Sequence, residues 1–82
     1  MNTIIDTWNL TRAATDEEIE IYEKVKAILY NLSDEDFETV IEACSNHAFY
    51  GGDKSTYSRM YRQAKKYGIK PGDLMTWYYI ED

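Results

Sequence analysis

The stretch MYRQAKKYGIKPGDLMTWYY, Met60 to Tyr79, decides how the chain is organised. Its pattern predicts a helix, a tight turn and a second helix. Ala64, Tyr67, Ile69, Leu74 and Trp77 can reach one common core if Gly68 takes a left-handed conformation and Asp73 caps the second helix. Lys70-Pro71-Gly72-Asp73 is turn chemistry, with proline presetting φ and glycine and aspartate tolerating tight backbone. A third helix over 55–67 and a final one over 73–80 are therefore expected, the third carrying Tyr57, Met60, Tyr61, Ala64 and Tyr67 inward.

Upstream, Thr15-Asp16-Glu17-Glu18 reads as a capping box, which opens a first helix over 16–32. Ile19, Tyr22, Val25, Ile28, Leu29 and Leu32 recur on one of its faces. Ser33 is the N-cap of a second helix over 34–49, with Asp34, Glu35 and Asp36 in the turn where negative charge is favoured. Its apolar stripe is Phe37, Val40, Ile41, Cys44 and Ala48. The short link through Leu32 and Ser33 predicts an antiparallel or steeply crossed helix pair. Residues 1–14 carry Ile4, Ile5, Trp8 and Leu10 without sustained period. They read as an N-terminal arm, a short helical turn or extended chain docked on the helices, with Trp8 buried. The expected fold is all-α, one domain over 1–82: a compact bundle of three to four helices.

A chain of 82 residues is long enough to bury roughly 60% of its unfolded surface and so to fold without staples. Cys44 is the only cysteine, which excludes an internal disulfide and a multi-cysteine zinc site and suits a reducing interior, the cytoplasm. The opening residues lack a basic region followed by a long apolar run, and nothing later approaches membrane-spanning length, so no membrane partner is expected.

The formal net charge is -6, from 15 acidic and 9 basic residues. That balance argues against a general binder of nucleic acid or anionic membrane. The charge is divided along the chain: residues 1–49 hold eleven acids and three bases, residues 50–72 one acid and six bases, and residues 73–82 three acids. Eight tyrosines and two tryptophans are many for this size and point to a binding surface.

The small residue Ala64 four before Gly68, the aliphatic Ile69 directly after it and the later anchors Leu74 and Trp77 resemble a helix-turn-helix unit over residues 60–79. The resemblance implies that the second helix enters a DNA groove through Lys70, Gly72, Met75, Thr76 and Tyr79, while Lys54, Arg59, Arg62, Lys65, Lys66 and Lys70 hold phosphates. No Arg, Gln or Asn stands where a bidentate base contact belongs. A protein partner suits the same helix: beyond its core anchors, Met75, Tyr78 and Tyr79 form a candidate dry patch. The alternative is that the N-terminal arm covers them as core.

Glu17, Glu20, Glu23, Asp34, Glu35, Glu38 and Glu42 crowd the first two helices. Such an array presents a phosphate-like field to a protein with a basic surface, and it also serves simply as solvated surface. Small, acidic, mostly helical and aromatic-rich, the chain resembles phage-encoded inhibitors of bacterial defence, including anti-CRISPR proteins. Glu35, Glu38 and Glu42, together with Met75, Tyr78 and Tyr79, are the candidate partner-binding residues.

Cys44 and His47 lie three apart on one helix, the minimum for a thiolate pair or half a metal site. No other Cys or His completes a zinc site, and the apolar stripe around Cys44 favours a structural role. Gly51-Gly52-Asp53-Lys54 lacks the length and terminal Lys-Ser/Thr of a phosphate loop and reads as a turn. No catalytic residue, cofactor or metal is expected. The leading expectation is a non-enzymatic protein-binding module, an inhibitor or regulator that masks a surface of a nucleic-acid-handling protein. A helix-turn-helix DNA-binding regulator and a helical subunit of a larger assembly are the alternatives.

Overall fold

β-Branched residues at the amino end and at residue 80 put the two ends of the chain into one sheet. The computed structural model describes residues 3–7, 10–51 and 53–81; Trp8, expected in the core, lies outside the described residues. Its elements run β1 Thr3–Thr7, β2 Leu10–Ala13, α1 Asp16–Leu29, α2 Asp34–Phe49, α3 Lys54–Lys66, α4 Pro71–Tyr79 and β3 Ile80–Glu81. Among the described residues the molecule is mostly helical, four helices with a small antiparallel sheet of order β2-β1-β3.

The N-terminal arm is neither a helical turn nor a single extended segment, but a β-hairpin whose inner strand also pairs Ile4 with Ile80 and Thr3 with Glu81. Strand alternation buries Ile4 and exposes Ile5. Ile80, expected as the last helical residue, is extended and buried.

α1 begins where the capping box predicts: the Glu18 amide donates to Thr15 Oγ1 at 3.1 Å, and the Thr15 amide donates to Glu18 Oε1 at 2.9 Å. It stops at Leu29, three residues short of the expected end, where the Asn31 side-chain amide donates to the Ala27 carbonyl at 3.0 Å. α2 has the expected bounds, with Ser33 Oγ accepting the Asp36 amide at 3.2 Å. α3 starts one residue earlier than expected because Asp53 is its cap and accepts the Ser55 amide at 2.9 Å.

The turn after α3 follows the glycine. Gly68 has φ 72°, and the amides of Gly68 and Ile69 close back onto the carbonyls of Lys65 and Ala64 at 3.2 and 2.9 Å. This paired closure satisfies carbonyls that the helix end would otherwise orphan. α4 then starts at Pro71, not after an Asp73 cap, because proline is preorganised for the first helical position; Asp73 falls in the first turn.

α1 and α2 are not each other's main partner, despite their short link. α1 packs chiefly on α4, and α2 on α3. α4 therefore lies between the two, also touching α3, α2 and β1. Leu29, Val40, Cys44, Met60, Ala64 and Leu74 form the fully enclosed centre. On α3 the buried row is Thr56, Met60 and Ala64; Tyr57 and Tyr61, expected inward, stand outside it at 47% and 41% exposure. Ile28, also expected in the core stripe, is exposed.

Candidate binding surfaces

The first surface belongs to α2. Glu35, Glu38 and Glu42 fall at three- and four-residue steps, which puts them on one exposed row of the helix, and Glu17, Glu20 and Glu23 are likewise exposed on α1. An aromatic chain leads inward from the start of α2. Tyr30, 62% exposed, meets Phe37 edge-on with ring centroids 6.0 Å apart, and Phe37 meets Trp77 edge-on at 6.0 Å. The Lys26 ammonium lies over both Tyr22 and Tyr30, at 5.5 and 5.6 Å from the ring centres. Tyr30 is thus an exposed ring held on a half-buried one, beside a helix whose outer row is anionic. Rigid aromatics of this kind supply contact area at low entropic cost, while carboxylate rows steer a cationic partner.

The anchors expected on α4 are placed differently. Met75 is buried, so it is not a surface anchor; Tyr78 and Tyr79 are half-buried and packed edge-on at 5.7 Å. Burial, then the neighbouring Tyr78 and Cys44, raise the Tyr79 hydroxyl above its ordinary pKa. The cause is the position of α4: packed from several sides, it has no spare apolar face. The same position bears on the groove-facing set. Lys70 and Gly72 are exposed, but Thr76 is half-buried and its hydroxyl donates to the Gly72 carbonyl at 2.9 Å. Gly72 is the one exposed residue of α4.

The second surface is the outside of α3. Lys54, Arg59, Arg62, Lys65 and Lys66 are all exposed along it, and Lys70 follows in the turn. Tyr57 and Tyr61 stand on the same outer side, their rings 6.1 Å apart and inclined by 35°. His47 of α2 packs edge-on against Tyr57 at 5.5 Å. Phe49 and Tyr50, 78% and 64% exposed, add further aromatic surface just before α3.

The two surfaces meet in a groove of about 360 Å³ between α2 and α3, where Glu42 and Asn46 face Arg59, Arg62 and Gln63. Gln63 Oε1 and His47 Nδ1 are buried without a hydrogen-bond partner. At the start of α3 the Asp53 carboxylate is held ionised, its pKa lowered by the Ser55 amide and hydroxyl and then by Arg59.

The Cys44–His47 pair does not assemble a nucleophile. Cys44 is fully buried, and desolvation pushes its thiol up to about 12, so no thiolate forms at neutral pH. Among the described residues no group of three His, Cys, Asp or Glu side chains could hold a metal ion. No described helix is long and apolar enough to cross a membrane.

The sequence pattern located both charged rows but misplaced the aromatics beside them. Tyr57 and Tyr61, expected in the core, face out, and Tyr30 stands exposed just past the end of α1. The spacing Thr56, Met60, Ala64, an unbroken four-residue row of small or flexible side chains, was the available signal that the tyrosines one position further on face out. No family model matches this chain, and neither a curated protein nor a solved structure is significantly similar to it.

Proposed function

We propose that this protein is a non-enzymatic binding module that masks a basic surface of a nucleic-acid-handling protein, acting as an inhibitor or regulator of the anti-defence kind. The observation that carries this reading is the exposed row Glu35, Glu38 and Glu42 beside Tyr30, whose ring rests on Phe37. Carboxylates at helical spacing offer a cationic surface the sign of charge that a nucleic-acid backbone offers, and Tyr30 adds an anchor that a phosphate chain lacks. Tyr30 takes the place of Met75 in this reading. Tyr78 and Tyr79, half-buried, contribute at most their edges.

The test is comparative affinity capture from the source cell, with the native chain and with a variant carrying Glu35→Lys, Glu38→Lys and Glu42→Lys. Partners with basic, nucleic-acid-binding surfaces should be retained by the native chain and lost by the variant, with an on-rate that falls as salt rises. Equal capture and equal on-rates by both would end this reading.

Recognition of duplex DNA is the second reading, supported by the six exposed cations from Lys54 to Lys70. It needs α4 to enter a groove, and of α4 only Gly72 is well exposed, with Lys70 just before it. A low-salt gel shift on duplex DNA separates the two readings: tight binding with a steep salt slope favours the regulator.

A further inference from the structure

The outer side of α3 joins two features that the masking of a basic surface does not use. One is a ridge of aromatic faces, Tyr57 and Tyr61. The other is the cation ridge beside it, Lys54, Arg62 and Lys66, which with Ser58 follows the same four-residue step; Lys65 continues the tyrosine ridge by one further step. A four-residue step along a helix advances about 6 Å, so rings and charges repeat side by side along the axis. Two shallow depressions, of about 320 and 380 Å³, run along this side and share Tyr57 and Ser58; Lys54 lines the first, Tyr61 and Arg62 the second. Both are open depressions lined mainly by ring faces and polar side chains rather than by aliphatic ones, so neither offers the apolar walls that an aliphatic anchor would need. Both leave ring surface open to a flat partner.

We infer that this face of α3 binds single-stranded nucleic acid, with bases stacked on Tyr57 and Tyr61 and the phosphates following Arg62, Lys65 and Lys66. Stacking on aromatic side chains flanked by cations is the general solution for holding an unpaired strand without reading its sequence. Duplex DNA hides its bases, so it could use the cations but not the rings. An acidic peptide could likewise pair with the cations, but it has no repeating flat groups to lie on two tilted rings. Asp53, which lines the first depression beside Lys54, opposes phosphate there, so the phosphates are assigned to the cations further along the helix. The site lies across the α2–α3 groove from the Glu35–Glu38–Glu42 row, so it stands or falls separately from the masking surface.

The experiment is a fluorescence-anisotropy titration of the full chain against a labelled twelve-nucleotide oligo(dT), a duplex of equal length and a polyglutamate peptide, between 20 and 200 mM salt. The expected result is preferential binding of the single strand, with a slope of log K against log salt of about -2, as three neutralised phosphates give. Tyr57→Ala and Tyr61→Ala should each weaken it by about tenfold while Tyr57→Phe retains it, the difference that stacking predicts. Arg62→Glu should weaken it by at least as much. All three positions are exposed, and unchanged thermal melting of each variant confirms that the fold is kept. The inference is overturned if the single strand does not bind, if the duplex or the peptide binds as tightly, or if both alanine variants bind like the native chain.

Discussion

Arg12 grips Glu18 with both of its terminal nitrogens, each 2.7 Å from a different carboxylate oxygen. Glu18 is also the residue that closes the capping box on Thr15, so one carboxylate ties the hairpin to the start of α1. The Arg12 bond, followed by the Thr15 backbone, holds its pKa down to about 2 from an ordinary 4.5.

A lowered carboxylate pKa makes the folded state release protons that the unfolded chain would bind. The stabilisation is therefore present above about pH 4.5 and fades as pH falls toward 2. Glu18→Gln should flatten this acid limb, and Thr15→Ala should cost about 1 kcal/mol at neutral pH through the lost cap. Urea unfolding midpoints at pH 7, 4 and 3 measure both; an equal acid slope in native chain and E18Q would contradict the assignment.

Gly68 makes a sharper prediction, since its φ of 72° suits glycine although a Cβ there would meet nothing within 4 Å. Gly68→Ala should cost about 1 to 2 kcal/mol purely through backbone strain. Gly68→Asn should cost less, because asparagine enters the left-handed region more readily. Equal losses for the two variants would mean that space, rather than backbone conformation, governs the site.

Leu74 tests the central position of α4. It is completely enclosed where α1, α2 and α3 converge on that helix, so Leu74→Ala should cost about 2 to 5 kcal/mol in thermal or denaturant unfolding. Ile28→Ala, at an exposed position of α1, should cost far less.

Cys44 should resist a water-soluble disulfide reagent at pH 8 in the native protein and react fully once denatured, because its thiol is buried and its pKa is raised to about 12. Rapid native labelling would show that the α2–α3–α4 core opens readily.

How far the fold could be read from the chain follows from which forces are local. The Thr15 and Ser33 caps, the Gly68 turn and the two acidic rows depend on neighbours within four residues, and they stand as expected. The hairpin depended on Ile4 meeting Ile80, a pairing that no local period announces. The aromatics failed for a related reason. A tyrosine carries enough apolar surface to satisfy a core stripe and enough polarity to satisfy solvent, so only the packing of α4 decides which of Tyr57, Tyr61, Tyr78 and Tyr79 is covered. The cost of the early proline was similar: Pro71 and Asp73 are both good helix starters, and the geometry of the preceding turn chose the first.

The pairing of Thr3 with Glu81 bridges nearly the whole length of the polypeptide. Such a long closure is entropically late: the strand that completes the sheet has nothing to dock on until α4 has been placed by its neighbours. Ile80 is consequently a latch that reports completion, and a chain shortened by its last three residues should keep its helices while the hairpin loosens, visible as faster amide exchange along β1. The same nearness of Thr3 to Glu81 offers a practical handle: a linker leading from β3 back to β1, with the chain reopened at Gly51, should give a permuted molecule with an unaltered helical body.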